Sequence, residues 1–480
     1  MSDSSAGEQE PSGDSPTTAR DSAGPVRLTT RDRFPIMAMI VLIMACGTML
    51  GIEFKVLSPI DELPHFDYVA RLVDSHRIPG RNEGLSLSGE RTLACYGSRE
   101  GTPPDLPCDA PRSVYRRWHS PPNTAGGYPP VFYFPVAAVA AATKGPAGNL
   151  FLGARLAATL WLALGAVAGY LLSRTAGAGR VTAFGVAVGA ALSPIMLFQG
   201  ATVNPDAASM LCGAGAVLAW LRWRNRTGWW PWLGLSVVLG ATTLVKANLL
   251  PIPVAIAAAE LTLAAYAAGP RMLLSWRTWT PVTSTGRTLW ASGAGAAIGG
   301  LWSVVFLVVL PPAQDITLPA IYGNQPWKWH DALISLLSTY NPLSAGGSFL
   351  KVLNGAPLTV LTAVLGVLAL SGAALGALLG RDRDRVPPQV TGDGVVVEPA
   401  RAISVAALWS LLLAAPVTYA EVAATGHFFV YPARYSLWTV PIGLAAAVGL
   451  TGRRGAQLIG AIGLLIAAWT TVKLIGGLPL

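Results

Sequence analysis

Charged residues are scarce in this chain. They make up 12% of its 480 residues, whereas hydrophobic residues make up 52%, and soluble proteins carry about 25% charged residues. This composition excludes a soluble globular domain as the main architecture. The long apolar segments also lack the alternating pattern of membrane strands, so a bundle of membrane-spanning helices is expected and not a β-barrel.

Cysteine is scarce as well, with four residues in the chain. Cys46 and Cys212 fall inside apolar segments, whereas Cys95 and Cys108 lie close together in a polar loop. If that loop is outside the cytoplasm, a disulfide between Cys95 and Cys108 is expected, and two free thiols are the alternative. Because no histidine cluster accompanies these two cysteines, they argue against a zinc site.

The sequence contains no glycine-rich phosphate loop of the P-loop type, which argues against a soluble nucleotide-driven reaction. The net charge of +9 does not indicate nucleic-acid binding, because most basic residues punctuate the apolar segments and so follow membrane topology. The glycine-rich run 293–300 lies inside an apolar segment and predicts close helix packing. Any substrate is therefore expected from the outer aqueous phase or from the membrane.

Long apolar segments are what the chain does have. A disordered cytoplasmic tail is expected over 1–30, because large apolar residues are almost absent there, and a transmembrane domain is expected over 31–480. A helical span needs about 20 mostly apolar residues. By this criterion we predict an all-α polytopic protein with eleven spans, at 34–54, 150–172, 181–199, 206–221, 229–247, 249–268, 289–310, 356–379, 402–420, 436–450 and 456–475.

Residues 129–143 are apolar but short and interrupted by proline, so they predict an interfacial helix and not a further span. With this segment not crossing and the N-terminus inside, the arginine-rich loops fall on the cytoplasmic side, as the positive-inside rule requires. A crossing would place those loops outside. The prediction gives four polar regions on the outer face, the first of which contains juxtamembrane helices: 55–149, 200–205, 311–355 and 421–435.

Two adjacent carboxylates and a histidine follow the first predicted span, namely Asp61, Glu62 and His65. A carboxylate at the membrane interface is partly desolvated, which raises its basicity and suits a general base. The alternative interpretation is a solvated loop edge with a helix cap.

Basic residues at the outer ends of later spans form a second group. Arg155 lies at the outer end of the second predicted span, and Lys246 and Arg434 are the only basic residues in their outer loops. Guanidinium and ammonium groups match phosphate oxygens, so the three residues are candidates for binding a lipid phosphate. Anchors that extend to the membrane surface are the alternative.

Polar and aromatic residues complete the candidate site. The Asn204-Pro205-Asp206 turn is either an Asx-turn before a helix or a carboxylate on the same face as Asp61. The segment Trp327–Asp331 predicts an amphipathic stretch on the membrane, with aromatic rings suited to sugar stacking. Glu260 is an ionisable residue within a span whose partner the sequence does not reveal. The residues predicted to contact substrate are Tyr128, Asn204, Asp206, His330, His427, Tyr431 and Tyr435.

In this order the motifs resemble the GT-C superfamily of membrane glycosyltransferases. More closely, the chain is similar to a bacterial family of uncharacterised polytopic membrane proteins grouped with that superfamily. The matching elements are Asp61-Glu62 with His65, Tyr128-Pro129-Pro130 with Phe132-Tyr133, Arg155, Asn204-Pro205-Asp206, Lys246, and Arg434-Tyr435 with Pro441.

The resemblance implies an inverting transfer of a sugar from a polyprenyl-phosphate donor to a glycan or lipid of the cell envelope, on the extracytoplasmic face of a bacterial plasma membrane. Asp61 would be the general base, with Glu62 and His65 positioning the acceptor or the base, and Arg155, Lys246 and Arg434 would hold the donor phosphate. Many relatives carry Asp-Asp or Glu-Asp in place of this Asp-Glu pair, so which carboxylate is the base stays open.

The resemblance leaves the donor sugar and any divalent metal open. A bias toward Arg, Ala and Gly is typical of high-GC bacteria such as actinobacteria, in which arabinose, mannose and galactosamine on decaprenyl phosphate are expected donors. Arabinofuranose is the favoured sugar. A transporter or flippase of lipid-linked sugars and a non-catalytic envelope-assembly partner are the competing functions. The clustering of polar residues at one face, and not at the midplane, favours the enzyme.

Overall fold

The computed structural model describes residues 28–58, 61–80, 83–97, 107–108, 113–114, 123–147, 149–224, 226, 228–269, 280–281, 283–308, 339–344, 356–379, 389–391, 394–425 and 433–476. Most of the tail predicted over 1–30 and most of the outer loop predicted over 311–355 lie outside these residues. The same holds for the candidate site residues His330, His427 and Tyr431.

The described chain is helical, with one small β-hairpin. The α-helices are α1 Thr30–Glu53, α2 Glu62–Ser75, α3 Leu87–Tyr96, α4 Tyr133–Ala147, α5 Leu150–Thr175, α6 Arg180–Ala191, α7 Pro194–Ala201, α8 Ser209–Trp223, α9 Trp229–Thr243, α10 Pro251–Ala268, α11 Ser284–Val308, α12 Ala356–Leu379, α13 Pro399–Thr425, α14 Val440–Leu450 and α15 Gly452–Ile475. Short 3-10 turns cover Thr124–Gly127, Pro205–Ala208, Ala247–Leu249, Pro342–Ser344 and Ala433–Thr439.

Two strands of three residues each, β1 Gln389–Thr391 and β2 Gly394–Val396, form a hairpin within the otherwise helical fold. The strands pair antiparallel with Gln389 opposite Val396. Valine and threonine, which occur in both strands or at their ends, favour extended backbone. The strands connect α12 to α13 and leave the helical class unchanged.

Five helices in the described part of the chain are long and apolar enough to cross a membrane: α1, α5, Ala247–Ala267, Pro357–Gly376 and α15. The bent pair of α6 and α7 makes a sixth if it is one span. Helices occupy every segment for which a span is predicted. Yet α8, α9 and α14 have only 15, 15 and 11 residues, below the about 20 that a crossing needs, so the count of eleven stays a prediction.

The span predicted at 181–199 is broken. Helices α6 and α7 meet at 66°, with Pro194 in the first turn of α7. Proline has no backbone N–H and fits the first turn of a helix, so it ends α6 and starts a new axis.

The helix ends fall into two groups at opposite ends of the bundle. Asp32, in the first turn of α1, accepts hydrogen bonds from Tyr170 Oη at 2.7 Å and from Arg180 Nε at 3.1 Å. Tyr170 lies late in α5 and Arg180 begins α6, so we call this the Asp32 end. At the other end, Arg155 near the start of α5 contacts the last turn of α1 through Gly51 O, and we call this the Arg155 end.

The glycine-rich run 293–300 packs against a neighbouring helix, as predicted. Gly295 lies against Leu239, and Gly299 lies against Thr243. Thr243 Oγ1 also donates a hydrogen bond to the backbone oxygen of Gly295 at 3.0 Å. Because glycine has no side chain, the backbones of α9 and α11 can approach this closely.

The segment between α1 and α5, predicted as a large outer loop over 55–149, contains α2, α3 and α4. Cys95, in the last turn of α3, is paired with Cys108, with their Cα atoms 4.7 Å apart. Cys46 and Cys212 are buried free thiols. The segment therefore has helical structure of its own above the Arg155 end.

Candidate active site

Asp61 and Glu62 are neighbours at the start of α2 but occupy different environments. Asp61 precedes the helix with φ 53° and ψ 16°, a left-handed conformation that costs a non-glycine residue about 1–3 kcal/mol. Glu62 is fully buried, whereas the Asp61 side chain is 33% exposed. The turn therefore separates two similar carboxylates into a buried one and an accessible one.

Glu62 is held by a complete set of donors. Its Oε1 accepts hydrogen bonds from Arg155 Nε at 2.9 Å and from the backbone N–H of Val203 at 3.0 Å. Its Oε2 accepts from Arg155 Nη2 and from the backbone N–H of Ser58, at 2.8 and 2.7 Å. These four contacts offset the cost of removing a carboxylate from water.

The guanidinium of Arg155 likewise has all of its donors paired. Besides Glu62, its guanidinium donates to the backbone oxygens of Gly51, Phe54 and Val56, at 2.8, 2.6 and 3.0 Å. Its five N–H donors are thereby used, and the carbonyls at the end of α1 are capped. The guanidinium also lies over the Phe151 ring, 4.2 Å from the centroid.

This geometry revises two expected roles. A phosphate would have to displace Glu62 or three backbone carbonyls to reach Arg155, and a substrate hydroxyl would have to displace Arg155 to reach Glu62. The pair instead joins the end of α1, the start of α2, α5 and the turn after α7. Both residues therefore fit a positioning role better than phosphate binding or base catalysis.

Four charged residues from distant parts of the chain form a second network. Lys246 Nζ lies 2.6 Å from Asp206 Oδ1, Arg434 Nε lies 3.3 Å from Asp206 Oδ2, and Arg434 Nη2 lies 2.7 Å from Asp61 Oδ2. The charges alternate in sign from Lys246 to Asp61, and we call these four residues the ionic chain. Asp61 is its accessible end, because the other three are buried.

Short 3-10 turns position the ionic chain. Asn204 caps the turn Pro205–Ala208 by accepting the backbone N–H of Asp206 at 2.9 Å, which supports the Asx-turn interpretation. Lys246 directly precedes the turn Ala247–Leu249, and Arg434 lies within the turn Ala433–Thr439. Each turn begins a helix at the Arg155 end, so residues far apart in sequence meet there.

Aromatic rings surround the ionic chain. Lys246 Nζ lies 4.3 Å from the centroid of the Tyr435 ring and 5.7 Å from that of Tyr128, distances typical of cation–π contacts. The His65 ring meets Tyr128 edge-on at 5.0 Å. Tyr128 and Tyr435, both predicted to contact substrate, are partly exposed beside Asp61.

Electrostatics keep Asp61 ionised. Burial alone would raise its pKa, but the nearby charges of Arg434 and Lys246 outweigh that effect and hold the pKa below the ordinary 3.8. Burial alone would lower the pKa of Arg434. The neighbouring Tyr435, Asp206 and Asp61 outweigh that effect, so the pKa of Arg434 is raised above its ordinary value. Asp61, the accessible end of the ionic chain, is therefore ionised at neutral pH.

His65 is buried and hydrogen-bonded through Nδ1 to Tyr133 Oη at 2.6 Å. Burial lowers its pKa from 6.5 to about 3; Asp61 opposes this shift, and Lys246 and Arg434 reinforce it. His65 is therefore neutral across the physiological range, next to Asp61 but without a charge of its own.

This neutrality predicts a pH-dependent stability. Between its folded pKa of about 3 and its ordinary 6.5, His65 binds a proton only in the unfolded chain, so stability falls as pH falls below 6.5. The loss from this residue between pH 8 and pH 5 is expected to be about 2 kcal/mol. Thermal melting in detergent at both pH values checks this, with His65→Gln as the comparison. An equal pH dependence in wild type and variant would contradict it.

Sequence reasoning missed a further polar cluster. This cluster connects α2 to the segments that follow it. Asp67 accepts hydrogen bonds from Arg71 Nε at 2.8 Å, Asn123 Nδ2 at 2.6 Å and the backbone N–H of Ser86 at 2.7 Å. Arg71 also pairs with Glu83 at 2.7 Å. The spacing of Asp67 and Arg71, four residues apart on a helix, is the one local signal for it.

Glu260 has a partner in the structure. Arg224 Nε and Nη2 contact its carboxylate at 3.1 and 3.2 Å, and Trp220 Nε1 donates to it at 2.8 Å. The pair joins α8 to α10 within the bundle and accounts for this intramembrane carboxylate as a buried ion pair.

Among the described residues, no three His, Cys, Asp or Glu side chains come together in a way that could hold a metal ion. His330, His427 and Tyr431, predicted to contact substrate, lie outside the described residues. Of the remaining candidates, Asp61, His65, Tyr128, Asp206, Lys246, Arg434 and Tyr435 meet in one place.

Comparison with known proteins gives a family and no function. The model of a family described as "Predicted membrane protein (DUF2142)" matches residues 71–330. The matched region contains Arg155, Asp206 and Lys246, while the Asp61-Glu62 pair precedes it and Arg434 follows it. No curated protein matches the chain.

Proposed function

The chain belongs to the DUF2142 family of predicted membrane proteins, and from that premise we propose that it is an inverting glycosyltransferase with a GT-C-like bundle. It would move a sugar from a polyprenyl-phosphate donor to a cell-envelope glycan or lipid, at the extracytoplasmic face of a bacterial plasma membrane. Arabinofuranose is the sugar we favour. The observation that carries the proposal is the ionic chain, which places two buried cations beside one accessible carboxylate.

In the proposed reaction, Asp61 accepts the proton of the acceptor hydroxyl. The hydroxyl oxygen attacks the anomeric carbon from the face opposite the phosphate, so the configuration inverts. The bond between the anomeric carbon and the phosphate oxygen breaks, and its electron pair stays on the phosphate, where Arg434 and Lys246 stabilise the charge. The products are the glycosylated acceptor and polyprenyl phosphate.

The pairing of Asp61 with Arg434 fits this sequence of events. While Arg434 contacts Asp61 at 2.7 Å, the carboxylate is a weak base with a lowered pKa. A donor phosphate competes for the same guanidinium, because both ligands are oxyanions of similar geometry. Binding of donor would thus release Asp61 and raise its basicity when the sugar is in place.

The phosphate site is tested by direct binding of polyprenyl monophosphate to the purified full-length protein. We expect Lys246→Gln and Arg434→Gln each to weaken binding by about tenfold or more, because each removes a charge-assisted contact. Lys55→Gln is the matched control, since Lys55 is exposed just after α1.

The controls keep this result interpretable. Lys246→Gln leaves Asp206 with one cation fewer, so the double variant Lys246→Gln, Asp206→Asn, which removes both charges, is measured beside it. Weaker binding in both, with normal melting temperatures, supports a phosphate site. Binding unchanged in Lys246→Gln and Arg434→Gln contradicts the assignment of both residues.

A further inference from the structure

The hydroxyl of Tyr133 and the ring of His65 form a buried hydrogen-bonded pair beside the ionic chain. Tyr133 is the first residue of α4, and its Oη lies 2.6 Å from His65 Nδ1. Both side chains are buried, at 0% and 2% exposure. The Tyr133 ring also stacks on the Tyr68 ring, with centroids 3.8 Å apart and an angle of 6° between the planes. This stacking holds the Tyr133 ring, and with it the hydroxyl, in place against His65.

Two arrangements of hydrogens are possible within this pair. Because His65 is neutral at physiological pH, its ring has one N–H donor and one acceptor nitrogen. Burial raises the pKa of Tyr133 above its ordinary 10, so the phenol keeps its hydrogen. Either Tyr133 Oη donates to Nδ1 and the ring hydrogen is on Nε2, or Nδ1 carries the hydrogen and donates to Tyr133 Oη.

The phenolic hydrogen of Tyr133 decides between the two arrangements. Among the residues that the structure describes, His65 Nδ1 is the one hydrogen-bond partner of Tyr133 Oη. If Nδ1 were the donor, the phenolic hydrogen would be buried without an acceptor, and an unpaired buried donor is costly. When Tyr133 donates to Nδ1, both groups are paired. The hydrogen of the imidazole is therefore on Nε2.

The His65 ring lies beside the accessible end of the ionic chain. His65 follows Asp61 by one helical turn, and its backbone N–H donates to the backbone oxygen of Asp61 at 3.3 Å. The charge of Asp61 also opposes the lowering of the His65 pKa, so the two side chains interact. Nε2 makes no hydrogen bond with any residue in the described part of the chain. Its N–H is therefore an available donor next to the Asp61 carboxylate.

We propose that Tyr133 is a positioning residue that acts through His65. Its hydroxyl fixes the tautomer with the hydrogen on Nε2, and this N–H holds the Asp61 carboxylate when a donor phosphate engages Arg434. The tautomer follows from the pair alone, whereas its role in turnover rests on the proposed function.

The need for a second donor follows from the contacts of Asp61. Within the described residues, Arg434 is the one hydrogen-bond partner of the Asp61 side chain, so a carboxylate that loses Arg434 is free to rotate. A neutral N–H orients a carboxylate but lowers its basicity less than a guanidinium does, because hydrogen bonds from charged donors are about twice as strong. His65 in this tautomer therefore keeps Asp61 in place and still lets it accept a proton.

Histidine NMR of the purified full-length protein in detergent reads the tautomer without substrate. The chain has five histidines, and the signal that His65→Gln lacks is that of His65. In protein labelled with nitrogen isotope at histidine, hydrogen–nitrogen correlations distinguish a ring protonated at Nε2 from one protonated at Nδ1. At neutral pH we expect hydrogen on Nε2 in wild type and a mixture of tautomers in Tyr133→Phe. Tyr68→Phe, which removes the hydroxyl of the stacked ring, is the matched control and is expected to keep the wild-type signal.

Kinetics test the positioning role, with decaprenyl phosphates of arabinose, mannose and galactosamine as donors. Tyr133→Phe is expected to lower kcat by about tenfold, the effect of one lost hydrogen bond, with the donor KM unchanged because Lys246 and Arg434 remain. A glutamine at position 65 offers an amide N–H that has no tautomer to fix. In the His65→Gln background, Tyr133→Phe is therefore expected to change kcat by less than about twofold.

The outcomes separate this inference from the proposed function, with the melting temperature of every variant measured in parallel. Wild-type His65 with its hydrogen on Nδ1, or an unchanged tautomer in Tyr133→Phe, would overturn the proposal. Equal losses of kcat from Tyr133→Phe with and without His65→Gln would overturn the positioning role and indicate packing instead. Protein that gives the expected spectra but moves no sugar would contradict the proposed function, and with it the role in turnover, while the tautomer assignment would stand.

Discussion

Replacing Asp61 by asparagine is expected to lower the kcat of sugar transfer by about a thousandfold, within the range of about 10²–10⁴ for the loss of a general base. Asparagine keeps the size of the side chain and an acceptor for Arg434 but cannot take a proton. Asp61 is partly exposed, and Arg434 keeps its contact with Asp206. The folded structure is therefore expected to survive the change.

Asp74→Asn is the matched control for this prediction. Asp74 is an exposed carboxylate on the same helix α2, and its removal is expected to leave kcat within a factor of two, because it lies away from the ionic chain. Both variants are compared with wild type by initial rates per folded protein, with melting temperature measured in parallel. A kcat for Asp61→Asn close to that of wild type would rule out Asp61 as the base.

The second large effect concerns stability. Glu62→Gln and Arg155→Gln are each expected to destabilise the fold by about 3–5 kcal/mol, the usual cost of leaving one member of a buried ion pair without its partner. Both side chains are almost fully buried, at 0% and 3% exposure. Arg155→Gln should be the more damaging, because it also leaves the carbonyls of Gly51, Phe54 and Val56 without donors.

Thermal melting of detergent-solubilised protein measures this effect, with Glu53→Gln as the control. Glu53 is an exposed carboxylate at the end of α1, so its neutralisation is expected to change stability by less than about 0.5 kcal/mol. If Glu62→Gln melts like wild type but has lost activity, Glu62 acts on substrate and the structural role assigned to it is wrong.

The sequence predicted those features that depend on local composition. The helices α1, α5 and α15 follow from long apolar runs, and the pairing of Cys95 with Cys108 follows from their shared polar loop. Lys246 and Arg434 were predicted on the same face as Asp61, and the structure brings the three residues together at the Arg155 end.

Contacts between distant residues were beyond sequence reasoning. Nothing local indicates that Arg155 pairs with Glu62, or that Arg224 pairs with Glu260 across 36 positions. The left-handed backbone at Asp61 sends two adjacent carboxylates to opposite environments, and that conformation depends on the surrounding packing. The break between α6 and α7 did have a local signal, namely Pro194. The prediction of one continuous span followed the hydrophobic pattern of the segment instead.

The most direct test of the account is sugar transfer by purified wild-type protein reconstituted in liposomes, offered a panel of polyprenyl-phosphate sugars and envelope acceptors. The account predicts transfer from at least one donor, with inversion at the anomeric carbon and release of one polyprenyl phosphate for each sugar moved. Folded protein that binds polyprenyl phosphate but moves no sugar from any donor, or moves the intact donor across the membrane, would contradict it.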